Sequence, residues 1–275
     1  NFALDMSIKE NCFKMAKGVS GVFNMACNMG GMGFIENNKA ECMLSVLVNT
    51  HMLMACKEHK VKKYFFSSSA CAYNKDLQDK PDISGLKESD AYPANPEDGY
   101  GWEKLFSERM CRHYLEDYGL DVKVARYHNV YGPNGTYDGG REKAPAALCR
   151  KIIIAKEKNS DIIDVWGDGK QTRSFLFIED CVNATLQFFN SNHHGPINIG
   201  SEEKVSINEM IEKIEKISSK NFKKNYQLDK PKGVRGRSSN NDLIRKLLKW
   251  EPKYNLYEGL KKTYQWIEED MKKKA

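Results

Sequence analysis

Tyr100 and Lys104 stand four residues apart in the run Asp98-Gly99-Tyr100-Gly101-Trp102-Glu103-Lys104. A helix that begins there, after the turn-forming Pro93-Ala94-Asn95-Pro96, puts both side chains on one face. A phenol beside an ammonium is suited to hydride chemistry, with the phenolate as proton acceptor. Tyrosine titrates near ~10, and bringing it to ~7 requires about 4 kcal/mol in favour of the phenolate. An exposed ion pair supplies at most ~1 kcal/mol, so the pair demands a partly dry pocket and a second cation, a role an oxidised nicotinamide ring can fill. Taken alone, the spacing is also common on ordinary helices. A second candidate is Ser67-Ser68-Ser69-Ala70-Cys71, which follows the apolar stretch from Val61. In doubly wound sheets, ligands bind at the carboxyl ends of such strands. Ser69 is placed there to hold a hydroxyl or a developing oxyanion beside Tyr100. Cys71 reads either as a base or as a small packed hydrophobe.

The elements that must carry these residues alternate. A helix is expected from Ser7 to Ala16, a buried strand from Gly21 to Ala26, a long helix from Cys42 to Glu58, and strands at Val61–Ser67 and Val122–Tyr127. Phe2 to Asp5 reads as a strand end or the loop after it. Met29-Gly30-Gly31-Met32-Gly33-Phe34 lacks both G-x-G-x-x-G and Walker A spacing, so a flexible loop on the substrate side is expected there rather than a phosphate cradle. Beyond Gly132-Pro133 the texture changes. Pro145 opens a helix running through Ile154, Trp166-Gly167-Asp168-Gly169 turns between two strands, and Asp180–Phe189 forms another helix. Pro196–Gly200 is a short strand. Ser206 with Glu209 makes a capping box, and two helices flank Trp250-Glu251-Pro252.

Composition narrows the class. The 275 residues carry a net charge of +6, with lysine spread along the chain, which favours a small anionic substrate over nucleic acid. The eight cysteines form no C-x-x-C pair and no cluster at zinc spacing, as expected of reduced thiols in a cytoplasmic protein without a structural metal. No apolar run approaches the ~18 residues of a membrane span. The chain begins at Asn1 in mid-pattern, and an N-terminally incomplete sequence is expected.

Beyond the stretches already quoted, the chain carries Leu86-Lys87-Glu88-Ser89-Asp90-Ala91, His128-Asn129-Val130-Tyr131-Gly132-Pro133, Gly139-Gly140-Arg141-Glu142-Lys143-Ala144-Pro145, Gln171-Thr172-Arg173-Ser174-Phe175, Asn198-Ile199-Gly200-Ser201 and Gly233-Val234-Arg235-Gly236-Arg237. With these it resembles, over nearly its whole length, the extended short-chain dehydrogenase/reductases that act on nucleotide sugars. Within that group it is most similar to the plant-type GDP-mannose 3,5-epimerase family. YxxxK and Trp-Gly-Asp-Gly are shared across the superfamily, whereas Ser-Ala-Cys together with Gly-Gly-Arg-Glu-Lys-Ala-Pro is specific to the epimerases.

The resemblance implies an α/β fold: a doubly wound parallel, Rossmann-type sheet, N-terminally incomplete, with a smaller C-terminal substrate domain. Residues 1–133 with about 174–192 would form the NAD-binding part, and 134–173 with 193–275 the substrate part. It implies NAD as cofactor, a GDP-sugar substrate and a homodimer paired through the helices around 42–58 and 100–116. Tyr100, Lys104 and Ser69 would serve oxidation at C4, and Cys71 and Lys143 proton exchange at C3 and C5. Asp5, Ala26, Cys27, Ser69, Tyr100 and Lys104 would touch the cofactor. Gly30, Ser69, Ala70, Cys71, Asn129, Glu142, Lys143, Ala144, Lys151, Gln171, Thr172, Arg173 and Arg237 would touch the substrate, with Lys151, Arg173 and Arg237 on the diphosphate. Two departures stand out: no Gly-rich pyrophosphate turn precedes Asn1, and Ala72-Tyr73-Asn74 replaces the family's Ile-Tyr-Pro. A 4-epimerase or 4,6-dehydratase of the same superfamily remains an alternative, as does a catalytically silent sugar-nucleotide binder. Against the dehydratase, Ala70-Cys71 stands where an acidic pair is usual.

Overall fold

The computed structural model describes residues 3–231 and 233–274, so the expectation for Phe2 lies outside the described residues. The first half runs α1 (Lys9–Ala16), β1 (Gly21–Asn24), α2 (Met32–Asn37), α3 (Lys39–Met43), α4 (Val46–Glu58), β2 (Lys63–Ser69), α5 (Asp98–Tyr118), β3 (Asp121–Tyr127) and β4 (Val130–Tyr131). The second half runs α6 (Ala144–Glu157), β5 (Ile162–Trp166), β6 (Thr172–Ser174), β7 (Leu176–Phe177), α7 (Ile178–Phe189), β8 (Ile197–Ile199), β9 (Lys204–Ser206), α8 (Ile207–Ser218), β10 (Lys223–Gln227), β11 (Gly236–Arg237), α9 (Asp242–Leu248) and α10 (Leu256–Lys274).

Strands β1, β2, β3 and β8 form a parallel sheet in that order. Its strands read as apolar runs because both faces are covered. Tyr64, Phe66, Val122 and Val124 pack on one face against Cys12 of α1, Leu53 of α4 and Cys111 of α5. Phe65 and Ala125 pack on the other against Ala184 and Phe188 of α7 and Ile244 of α9. Each large side chain buried this way contributes about 1.5–3 kcal/mol. The fold is thus the expected doubly wound α/β arrangement. β8, assigned from the sequence to the second part, is hydrogen-bonded to β3 in this sheet. Helices α6, α8 and α10 and strand β5 gather around a separate core of Ile152, Val165, Met210, Ile214, Leu260 and Ile267.

Several local expectations change. The helix expected over 42–58 is broken at Leu44 and Ser45 into α3 and α4. Met29–Phe34 is not a flexible loop: Met32 begins α2, and the Gly31 amide donates to the Arg141 carbonyl at 3.0 Å. β3 is interior despite Lys123 and Arg126, because Lys123 pairs with Asp121 at 2.7 Å and Arg126 with Glu108 at 2.6 and 2.9 Å. β10, a charged stretch with no strand signal, pairs in parallel with β5. The capping box at Ser206 and Glu209 is present as expected.

Candidate active site

β2 ends at Ser69, and the chain turns at once through Ala70–Ala72. The Ser69 hydroxyl accepts from the Cys71 amide at 3.2 Å, which fixes the thiol just beyond the strand end. The Cys71 carbonyl accepts from the Glu97 amide at 3.2 Å, and the first turn of α5 lies directly against it. Gly101 makes this approach possible, since a Cβ there would overlap the Cys71 carbonyl oxygen. Strand end and helix start are thereby locked together, and Tyr100 and Cys71 pack in one buried cluster with Ile35 and Cys42.

Across from them, Lys143 stands at the start of α6. The loop that carries it is pressed against α2. A Cβ on Gly31 would lie 2.5 Å from the Glu142 carbonyl oxygen, so only glycine lets the two backbones meet. Between these walls is a cavity of about 330 Å³. Gly30, Ser69, Ala70, Cys71, Tyr100, Asn129, Glu142, Lys143, Ala144, Lys151, Gln171, Arg173 and Arg237 all line it, so the structure gathers most of the residues singled out from sequence into one place.

The electrostatics refine the expected roles. Burial pushes the Tyr100 phenol well above its ordinary value, nearby Cys27 and Cys71 push the same way, and a hydrogen bond with Ser69 works against them. Lys104 is shared between two neighbours: its ammonium lies 5.4 Å from the Tyr100 ring centre and is paired at 3.2 Å with Glu103, a buried carboxylate that also accepts from Ser107. Burial pulls the Lys143 pKa down, opposed chiefly by Cys71. Burial would raise Glu97, but Arg237 and then Arg173 outweigh it and hold that carboxyl below its usual range.

Two acceptors in the cavity wall find no donor among the described residues: Glu142 Oε2 and Gln171 Oε1 are buried without a hydrogen-bond partner there. Their neighbours are satisfied, since Glu142 Oε1 accepts from Arg150 at 3.1 Å and Gln171 Nε2 donates to the Trp166 carbonyl at 3.2 Å. Unpaired buried acceptors are costly unless a ligand supplies donors, and a polyhydroxylated ring does so.

Some expected residues fall outside the cavity, and others in its wall are engaged by the protein itself. The Thr172 hydroxyl turns away from the cavity to the Pro81 carbonyl. Asp5 is exposed and accepts from the Ser7 amide at 2.9 Å and the Ser7 hydroxyl at 2.7 Å, holding the turn before α1. Cys27 is half-buried against the Tyr100 cluster. Ala26 lines a second cleft of about 400 Å³ at the end of β1, with Met6, Val22, Asn24, Val48 and Met52. Lys151 donates to the Asp164 carbonyl at 2.9 Å and lies over Trp166, while Arg173 donates to the Thr172 and Val234 carbonyls at 2.8 and 2.7 Å. Arg237, expected on a diphosphate, is 3% exposed and is engaged by Gln78, Glu97 and the Cys71 sulfur. Sequence reasoning missed Trp166, Arg150 and Phe175 in the wall, and Glu97 and Gln78 behind it. A charge or an aromatic ring at one position carries no signal of its own until folding brings it to the cavity.

Among the described residues no helix is long and apolar enough to cross a membrane, and no group of three potential ligands is placed to hold a metal. All eight cysteines are unpaired.

The chain and its architecture have clear relatives. The GDP-mannose 3,5-epimerase of Arabidopsis thaliana is 45% identical over 271 residues, covering 98% of this chain and 71% of that protein. GDP-mannose 3,5-epimerase 1 of Oryza sativa subsp. japonica is 46% identical over 271 residues, covering 98% and 70%. Among solved structures, UDP-glucose 4-epimerase of Thermotoga maritima, with UDP-glucose, matches the fold with a TM-score of 0.87 at 22% identity, over 98% of this chain and 84% of that one. Residues 2–200 match the NAD dependent epimerase/dehydratase family, and the chain belongs to it.

Proposed function

We propose that this chain is an NAD-dependent isomerase that epimerises GDP-mannose at C3 and C5, giving GDP-L-galactose. The observation that carries the reading is the placement of Tyr100 and Ser69 with Cys71 and Lys143 around one cavity, in a chain whose curated relatives bear that name. The residues present fit the cofactor. Ala26 lines the cleft at the end of β1 while the adjoining Cys27 packs against the Tyr100 cluster, so cleft and phenol are neighbours. Lys104 keeps an ammonium in the dry interior, where a ribose hydroxyl can accept from it. Bound NAD supplies hydride exchange at C4 and the positive charge that the buried phenol needs. Tyr100 accepts the proton of the C4 hydroxyl, with Ser69 hydrogen-bonded to the phenol. A ketone at C4 acidifies the hydrogens on C3 and C5. Inverting those carbons requires removal of a proton on one face and return on the other, the task given to Cys71 and Lys143. Glu142 and Gln171 take hydrogen bonds from sugar hydroxyls, and Lys151 and Arg173 lie on the side assigned to the diphosphate.

The decisive experiment incubates the NAD-loaded protein with GDP-mannose in deuterated water and follows the sugar by NMR. Deuterium at C3 and C5 with formation of GDP-L-galactose is expected. Binding of GDP-mannose with no exchange at either carbon would overturn the reading, and inversion at C4 alone would make the chain a 4-epimerase.

The division into an NAD-binding part and a substrate part belongs to the same proposal, as does a homodimer. Met43, Leu47, Trp102 and Phe106 are exposed apolar residues on the neighbouring helices α3, α4 and α5. An apolar strip of this kind is suited to pairing with its copy about a two-fold axis. The eight unpaired cysteines support a reducing, cytoplasmic setting.

A further inference from the structure

Arg237 comes from the far side of the cavity. Its strand β11 pairs with β6 at Arg173, and a Cβ on the preceding Gly236 would overlap the Lys80 carbonyl, so the strand is pressed against the 80s loop. From there the side chain reaches across to the Cys71 turn. All three of its nitrogens are used: Nε donates to Gln78 Oε1 at 2.6 Å, Nη2 to Glu97 Oε2 at 2.8 Å, and Nη1 to Cys71 Sγ at 3.4 Å. Gln78 and Glu97 are themselves buried, so the fork is clamped in direction as well as charged.

We propose that Arg237 is a positioning residue for Cys71: braced by Gln78 and Glu97, it donates to Sγ and keeps the sulfur aimed into the cavity before substrate arrives. The proposal rests on the reading of Cys71 as a proton carrier and departs from a diphosphate role for Arg237. Among the described residues, the other charged or titratable groups around the sulfur are Lys143 at the start of α6, Tyr100 on α5, Cys27 after β1, Cys42 on α3 and Arg173 on β6. Arg237 reaches the sulfur atom itself, through Nη1. A hydrogen bond from a charged donor is about twice as strong as a neutral one, so the guanidinium holds the sulfur more firmly than a neutral donor would. Burial works against the guanidinium, and the sulfur together with Glu97 outweighs it, raising the Arg237 pKa above its ordinary value.

The test needs no turnover. Iodoacetamide alkylation at pH 7, resolved residue by residue by mass spectrometry, reports how well Cys71 is presented for reaction, while the fully buried Cys12, Cys56 and Cys111 report folding in the same spectrum. Arg237→Met is expected to slow alkylation of Cys71 at least tenfold with those three thiols still protected, and Arg237→Lys to restore part of the rate. Unchanged labelling of Cys71 in a folded Arg237→Met variant overturns the proposal. If instead the three buried thiols become labelled, Gln78→Met decides, since it removes an acceptor that orients the guanidinium: slower labelling of Cys71 supports the proposal and an unchanged rate overturns it. GDP affinity, measured by calorimetry on the same variants, separates the two roles. Positioning of the thiol leaves it within twofold, whereas a diphosphate contact weakens it and leaves labelling untouched. Failure of epimerisation with labelling as expected would count against the proposed reaction and leave the role of Arg237 standing.

Discussion

Replacing Gly31 with alanine tests whether backbone contact between α2 and the Lys143 loop sets the catalytic geometry. The added Cβ would lie 2.5 Å from the Glu142 carbonyl oxygen and 3.4 Å from its carbonyl carbon, both backbone atoms with no rotamer to yield. Comfortable carbon–oxygen contacts lie at roughly 3.3–3.6 Å, so the Glu142–Lys143 backbone must retreat by roughly 0.8–1 Å. Overpacking of this size costs about 1–3 kcal/mol of stability. A misplacement of ~1 Å costs about 100-fold in rate, equivalent to about 2.7 kcal/mol at the transition state. Gly31→Ala should therefore lower kcat for GDP-mannose epimerisation about 100-fold in protein that is still folded, with urea denaturation showing the smaller stability loss. Gly139→Ala is the control. Gly139 has φ +87° and open space for 4 Å around the position an alanine methyl would take, so the substitution brings backbone strain of about 1 kcal/mol without a collision. Its turnover should stay close to that of the wild type. If Gly31→Ala turns over within threefold of the wild type, the contact does not position Lys143.

Tyr100→Phe should abolish both cofactor reduction and deuterium uptake, whereas Cys71→Ser and Lys143→Met should retain transient oxidation at C4 while losing most uptake at C3 and C5; wild-type uptake in Cys71→Ser would reduce Cys71 to packing. Lys143 also predicts a pH dependence. Its folded pKa lies below the ordinary lysine value, so the unfolded chain binds the extra proton and stability rises with pH from the lowered value up to ~10.5. Urea titrations as the pH rises toward ~10.5 should show that rise in the wild type and a flatter curve in Lys143→Met; parallel curves would refute it. Burial takes His128 down to about 3, so stability should fall as pH drops from ~6.5 toward that value, and His128→Gln should be less acid-sensitive over the same window. Trp102→Glu combined with Phe106→Glu should shift the protein to monomer in sedimentation velocity, and an unchanged sedimentation coefficient would remove α5 from the interface.

Much of this was legible in the sequence because periodicity and punctuation act locally. Val61–Ser67 and Val122–Tyr127 read as strands since both faces are covered by apolar side chains, and Ser206 with Glu209 announced its helix through capping chemistry. Tyr100, Cys71 and Lys143 came together as the resemblance implied. What the sequence concealed depends on distant partners. Lys123 and Arg126 make β3 look like an edge, and only Asp121 and Glu108 show why it is interior. Gly30-Gly31 looked like slack, and the missing information was the backbone of residues 141–143 pressed against it. Lys104 was expected to answer Tyr100, and its buried neighbour Glu103 shares it. The resemblance set Arg237 on the diphosphate, and its three acceptors lie between 140 and 166 residues away in the chain.

The docking of α5 leaves room to re-engineer the site. What meets Gly101 and the Glu97 amide is the carbonyl of residue 71, an atom that every amino acid possesses. The side chain projecting from that residue is therefore a replaceable tool in a fixed socket. Exchanging it alters the chemistry offered to the ring while the phenol opposite keeps its mount. A single codon at position 71 is thus a natural starting point for library design on this scaffold, with Gly99, Gly101 and Ser69 held constant. Reaction type can diverge there without a fresh solution to the packing problem.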